Sequence, residues 1–373
     1  MKLRLSVIFI LLFIVCFYFS SCSSLGVSTG SSGVSLKEQE LKEQLLNNFK
    51  AGVAAYDRGD FETALEKFKP IAEQGDARAQ YYLGVLYKFG EGLSQNDVEA
   101  EKWFQLASKK LPELAEGGDA VAQFFMGNMY HTGRGIVQND TEAVKWWTLA
   151  AEQGNAKAQH NLGYAYSSGY GVVQDDTEAV KWYRMAAEQG LADAQHNLGN
   201  NYSRGLGVLQ NDREAVKWWT LAAEQGDAIA QNNLGAMYGK GQGVVQDDTE
   251  ALKWYRLAAK QGLAAAQDNL AGMYQRGEGV VQDDTEAAKW YRLAAEQGFT
   301  NAQTELAIMY YYGDGVPQDN VLAYVWSSIA SSLGHENAKE NIGIIQNEMT
   351  SAEITKAQEL SNECLNSNYQ KCE

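Results

Sequence analysis

Between Cys22 and Cys364 the chain contains no cysteine; the four it has, Cys16, Cys22, Cys364 and Cys372, fall near its two ends. No Cys-x-x-Cys pair occurs, which supports neither a redox dithiol nor a zinc knuckle. Cations are in deficit. Against 47 Asp and Glu stand 31 Lys and Arg, a net charge of −16 that argues against nucleic acid as a partner and against a polybasic grip on anionic lipid. There is no Ser-x-x-Lys with Lys-Thr-Gly, no His-Glu-x-x-His and no Walker loop. The apolar run LSVIFILLFIVCFYF is 15 residues long, shorter than a usual membrane span. What remains is a composition able to bury a core: 45% hydrophobic and 21% charged over 373 residues, length enough for two ordinary domains.

Lys2 and Arg4 precede that apolar run and small residues follow it at SSCSS, the layout of an export signal over residues 1–21. Phe19-Ser20-Ser21-Cys22 resembles the bacterial lipobox, which implies that Cys22 becomes a lipidated first residue; Phe19 departs from the usual Leu of that motif. Ordinary secretory cleavage, for instance after Ser23, is the alternative. The Ser/Gly-rich stretch Ser23 to Ser35 reads as part of a flexible tether over residues 22–40. Ser23, directly after the cysteine, resembles lipoproteins sorted to the outer membrane, facing the periplasm or the outside. An exported chain meets an oxidising compartment, so Cys364 and Cys372 are expected to close a small loop, with two free thiols as the alternative.

Glycine sets the organisation. Gly118, Gly154, Gly190, Gly226, Gly262, Gly298 and Gly334 each follow the last by 36 residues, while Gly75 lies 43 before Gly118, a seven-residue insertion around KKLPELA. In the unit Asn155 to Gly190, Asn155 reads as an N-cap, and Ala158, Leu162 and Tyr166 share one helical face. This helix A ends near Ser168, because Gly169 and Gly171 supply a helix stop and a tight reversal. Asp175 with Glu178 then reads as a capping box for helix B, repeated as Asn96/Glu99, Asn139/Glu142, Asn211/Glu214, Asp247/Glu250 and Asp283/Glu286. The run VQDDTE lacks the ligand alternation and central Gly of an EF-hand, so no metal and no cofactor is expected. Helix B carries Ala179, Tyr183 and Ala186 on one stripe, and Trp182 and Met185 on a second that can reach the neighbouring unit. The Trp-Trp or Trp-Tyr pair of each unit could stack on a sugar or base, but its recurrence at one helical position points to core packing.

Units of the form AQ-x-NLG-x-x-Y-x-x-G-x-GV-x-QD-x-x-EA-x-KW-x-x-x-AAEQG resemble Sel1-like repeats, relatives of the tetratricopeptide repeat with a longer inter-helix loop. The resemblance covers residues 76–334, seven units, and implies an all-α, right-handed α-solenoid of stacked helix-turn-helix repeats. A two-helix unit cannot bury its own apolar face, so stacking is obligatory. Upstream, FKAGVAAYDRGDFETALEKFKPIAEQG lacks the Gly-x-Gly loop and looks like a plain tetratricopeptide unit, so residues 41–75 read as an N-terminal cap. Residues 335–373 read as C-terminal capping helices, with a capping box at Thr350/Glu353.

Positions held constant between units are explained by packing, so function is expected where units differ. In the family implied, helix A lines the concave side. Projected onto this chain, that face carries Arg78, Tyr81, Lys88 and Phe89, then Phe124, Asn128 and His131, then Lys157, His160 and Tyr164. It continues with His196, Asn200 and Arg204, then Asn232 and Lys240, then Asp268, Gln275 and Arg276, and closes with Thr304, Tyr311 and Tyr312. Arg204, Lys240 and Arg276, with Lys88 close to the same place, form a basic ladder suited to an acidic or hydrogen-bonding peptide or an anionic polysaccharide. Solvated helix ends, where cations offset the dipole, are the plain alternative. His160 and His196 occupy equivalent places roughly 10 Å apart, too wide to share a metal. The expected function is a non-catalytic adaptor of the bacterial envelope that binds envelope or secreted proteins, including extended peptides, along helix A. Cysteine-rich relatives of this repeat are described as β-lactam-binding or hydrolysing enzymes, but they pair a cysteine in each unit, as this chain does not. A cell-wall or polysaccharide binder is the further alternative.

Overall fold

The computed structural model describes residues 36–369 and 371–372, so Cys22 and the signal segment lie outside the described residues. The described chain divides between Lys67 and Phe68 into two compact units. In the first, helix α1 (Leu36–Asp57) already includes residues 36–40, which sequence had assigned to the tether. A turn through Gly59 follows, with φ of +75°. The Asp60 side chain then accepts from the Thr63 backbone N–H at 3.1 Å to open α2 (Phe61–Glu73), which runs past the division.

The second unit is built from helix pairs. In order they are α3 (Ala77–Phe89) and α4 (Asp97–Ala107), a short α5 (Leu111–Glu116), α6 (Ala120–Thr132) and α7 (Asp140–Glu152), and α8 (Ala156–Ser168) and α9 (Asp176–Glu188). They continue as α10 (Ala192–Arg204) and α11 (Asp212–Glu224), α12 (Ala228–Lys240) and α13 (Asp248–Lys260), and α14 (Ala264–Arg276) and α15 (Asp284–Ala295). The series closes with α16 (Thr300–Tyr312) and α17 (Asn320–Ser332), then α18 (Glu336–Gln346) and α19 (Ser351–Asn366). Among the described residues every element is a helix and none is a strand. From α6 to α17 each helix packs most extensively on its partner within the repeat and next on the helix across the boundary, the pattern of a solenoid, and at the end both α18 and α19 pack on α17. The seven-residue insertion folds as α5, with Pro112 in its first turn.

Local chemistry dictates the pairs. Asn155 accepts from the Ala158 N–H at 2.9 Å to start α8, and Gly169, at φ +76°, ends it. Gly171 has a second constraint: a Cβ there would lie 2.2 Å from the Asp140 carbonyl oxygen of the preceding unit, so only glycine allows that approach. The expected capping boxes are only half formed. Asp175 accepts from the Thr177 and Glu178 N–H groups at 2.9 and 3.1 Å. Its own N–H is already donated to the Tyr166 carbonyl at 2.9 Å, so Glu178 has nothing to cap and pairs with Lys181 instead. The same substitution recurs: Glu99, Glu142, Glu214, Glu250 and Glu286 all pair with the lysine three residues on. Thr350 and Glu353 form the complete reciprocal box.

Helix A meets helix B through a glycine against a ring. Gly127 and Gly199 lie so close to Trp147 and Trp219 that a Cβ would sit 2.3 and 2.5 Å from the indole. Gly163 faces Tyr183 at 2.7 Å on the same measure. Trp182, Trp218, Trp254 and Trp290 do reach into the core of the preceding unit. Met185 does not; it is 43% exposed, because the stripe it sits on turns outward past Trp182.

A buried glutamine forms each joint between units, and sequence reasoning missed it. Gln195 donates to the Ala187 carbonyl of the unit before at 3.1 Å and accepts from Gln225 of its own helix B at 2.8 Å. Gln123, Gln159, Gln231 and Gln267 repeat the arrangement with Gln153, Gln189, Gln261 and Gln297. The Oε1 atoms of Gln80 and Gln303 are buried without a partner among the described residues, since the residues thirty places on are Lys110 and Leu333. At the C-terminal end Cys364 and Cys372 are bonded, with Cα atoms 4.5 Å apart.

Candidate partner-binding face

Successive A helices bond to one another side by side, through several of the residues singled out by sequence. The Arg78 guanidinium bridges Asp76 and Asp119, the caps of α3 and α6, at 3.0 and 3.1 Å. Asn161 donates to Asn128 at 2.9 Å, Asn197 to the His160 Nε2 at 3.0 Å, and Asn269 to Asn232 at 3.0 Å. His196 meets the Asp227 cap of α12 at 3.1 Å, and Asn301 donates to both oxygens of Asp268 at 2.9 and 3.0 Å. Three of these bonds are carried by an Asn one place beyond a candidate, Asn161, Asn197 and Asn269. The recurrence of that Asn before a leucine was the available signal.

These bonds remove several candidates from any open surface. Tyr81 is buried, stacked on Phe125 with ring centres 4.2 Å apart, and its hydroxyl accepts from Asn128. Thr304 is buried too, bonded to the Thr300 carbonyl and facing His335. Asn128 and Asn200 accept from the indoles of Trp147 and Trp219 at 3.0 and 3.2 Å, and Gln275 accepts from the Tyr291 hydroxyl at 3.0 Å. Phe124 is half-buried against the core of the next unit. Lys157 is half-buried on the same layer.

Electrostatics follow the same inward bonding. Burial pushes the His160 imidazole below its ordinary value, and since its Nε2 accepts from Asn197 the ring is held neutral. Burial likewise pushes Asp268 up to about 6, against the opposing bonds from Asn301 and with the Glu305 carboxylate nearby. His131 faces Asp140 at 2.7 Å. Among the described residues no group of three or more His, Cys, Asp or Glu is placed to hold a metal.

The basic ladder is shorter than sequence suggested. Arg276 makes a two-bond pair with Glu278 at 2.8 and 2.9 Å, and Lys88 reaches Asp97 at 3.2 Å. Both acids sit in or just after the inter-helix loop, where the chain folds back over the end of helix A. Arg204 and Lys240 are exposed and without an ion pair among the described residues. With them, the open part of the layer presents Phe89 (57% exposed, under the Arg134 guanidinium at 5.2 Å), Tyr164 (45%) and Tyr312 (67%). Tyr311 beside it bonds Glu348 at 2.7 Å.

The Sel1 repeat model matches seven consecutive stretches, residues 77–110, 120–155, 156–191, 192–227, 228–263, 264–299 and 300–335. Among solved structures, c5321, a protective antigen of uropathogenic Escherichia coli with an SLR fold, is 32% identical. The alignment covers 89% of this chain and 79% of that one, with a TM-score of 0.64. A Sel1 repeat protein from Oxalobacter formigenes is 31% identical over 87% of this chain and 98% of that one, with a TM-score of 0.56. An exopolysaccharide production negative regulator of Rhizobium meliloti (strain 1021) is 37% identical over 54 residues, which is 14% of this chain and 20% of that protein. On seven matched units and two solved relatives sharing its fold over most of their length, the chain belongs to the Sel1 repeat family.

Proposed function

We propose that this protein is a non-catalytic scaffold of the bacterial envelope that holds other proteins along the layer of A helices. Sel1 repeat proteins are generally protein-interaction scaffolds, and a solenoid of this kind offers a long surface rather than a single reaction centre. The observation that carries the choice of face is the contrast between the two helices. Helix B repeats nearly the same residues from unit to unit, whereas the open positions of helix A change, from Phe89 to Tyr164, Arg204, Lys240 and Tyr312. Only a surface that varies can select one partner over another.

Photo-crosslinking groups placed at Phe89, Tyr164, Arg204, Lys240 and Tyr312 should each yield partner adducts in intact envelopes. The same groups at Leu149, Met185 and Leu221, exposed on helix B, should yield none. Adducts of equal strength from the helix-B positions would refute the choice of face. The envelope placement rests on Cys22, and labelling with radioactive palmitate that persists in Cys22→Ser would remove the lipid anchor from the proposal.

A further inference from the structure

Six of the seven repeats place a buried aromatic eight residues after the helix-B cap: Phe104, Trp147, Tyr183, Trp219, Tyr255 and Tyr291. The seventh has Ser327 there, opposite Ala307. Where the ring would sit there is a hollow of about 130 Å³ between α16, α17 and α18, walled by Ile308, Tyr311, Tyr312 and Ile344. Tyr312 and Ile344 are 67% and 48% exposed, so the hollow opens through an apolar rim.

Its lining includes Ser327, whose residue is fully buried, and Asn341. The Ser327 Oγ and Asn341 Nδ2 atoms are shut from solvent and have no partner among the described residues. Both can donate, so a complementary occupant brings an acceptor. Among the described residues no Lys, Arg or His lines the hollow, and a carboxylate there would lose its hydration without gaining a counter-charge. The acceptor is therefore neutral. Leucine or phenylalanine would fill the space but leave the donors unmet, and an indole N–H would face the Asn341 Nδ2 group donor to donor.

We propose that this hollow receives a tyrosine side chain of a partner protein. The ring takes the place that each other unit fills with its own aromatic, and the phenolic oxygen accepts from Ser327 Oγ and Asn341 Nδ2. Because Ile308, Tyr311 and Tyr312 belong to the helix-A layer, this site rests on the reading of that layer as the partner face.

The test uses the purified full chain and small probes, so it judges the hollow without needing the partner, whereas the crosslinking pattern judges the face. In calorimetric or NMR titrations p-cresol should bind about tenfold more tightly than toluene or p-toluate. Ser327→Tyr should abolish p-cresol binding while keeping the helical spectrum and melting behaviour, since three other units carry tyrosine at this place. Asn341→Leu should lower p-cresol affinity to that of toluene. The proposal is overturned if p-cresol fails to bind, if Ser327→Tyr binds it equally well, or if toluene or p-toluate matches it. Concentration-dependent dimers of the unaltered chain that vanish in Ser327→Tyr would also overturn it, by assigning the hollow to a second copy.

Discussion

Leu333→Gln should complete the glutamine joint that the seventh repeat leaves open. Gln303 donates to the Ala295 carbonyl at 3.1 Å, but its own oxygen is buried with no donor among the described residues. Leu333 has φ −91° and ψ 5°, close to the −82° and 2° of Gln153, so a glutamine can adopt there the backbone already used in the complete joints. Leu333 is 45% exposed, and replacing it opens no cavity. Meeting a buried acceptor is worth roughly 1–3 kcal/mol, and ordering one more glutamine side chain costs up to roughly 2 kcal/mol. A net gain of about 1 kcal/mol follows, or roughly fivefold fewer local openings. Repeat arrays lose two-state behaviour, so the gain should be read locally, as slower amide hydrogen exchange in α16 and the end of α17. Lys110→Gln is the control: Lys110 precedes α5, displaced by the insertion, and should give no gain at Gln80. Unchanged or faster exchange in Leu333→Gln, or an equal gain from Lys110→Gln, would refute the reasoning.

Gly199→Ala drives a methyl into Trp219 and should destabilise its repeat by roughly 1–3 kcal/mol before a helix-propensity gain of about 1 kcal/mol. Denaturant titration should show a smaller loss for Gly163→Ala, because the sixth unit already pairs Ala271 with Tyr291, and Trp219→Tyr should rescue Gly199→Ala. Asp268 binds its proton more tightly folded than unfolded, so its contribution is fully present below pH 3.8 and is lost as pH rises through about 6. Asp268→Asn should therefore stabilise the protein at pH 8, and thermal melts should show the difference gone below pH 4. Reducing the Cys364–Cys372 bond should speed exchange at the end of α19 and leave α6 to α11 unchanged, since a solenoid transmits stability only between neighbours.

The fold was legible because one period carries every signal. Asn155, Gly169 and Asp175 mark helix ends by their own chemistry, and repetition confirms each reading. The proposed partner face was legible only as a layer. Which of its side chains are free depends on neighbours thirty or more residues away, as with Asn128 and Asn161, or on where a loop folds back, as with Glu278 over Arg276. Glu178 shows the same limit at short range: its sequence partner Asp175 was correct, but the Asp175 N–H it should have met is donated to the Tyr166 carbonyl. Ser327 was visible as a break in the aromatic register, yet only coordinates show that the break leaves open space.

The glutamine joint also bears on how such a chain can change length. Each joint asks only for an alanine carbonyl from the unit before and an amide from its own. Excising Asn155 to Gly190 would bring Gln195 to the carbonyl of Ala151 in place of that of Ala187, with Gln225 still beside it. A loss or duplication of 108 nucleotides in the gene would therefore leave the glutamine joint intact, and reach could be adjusted by recombination in whole steps.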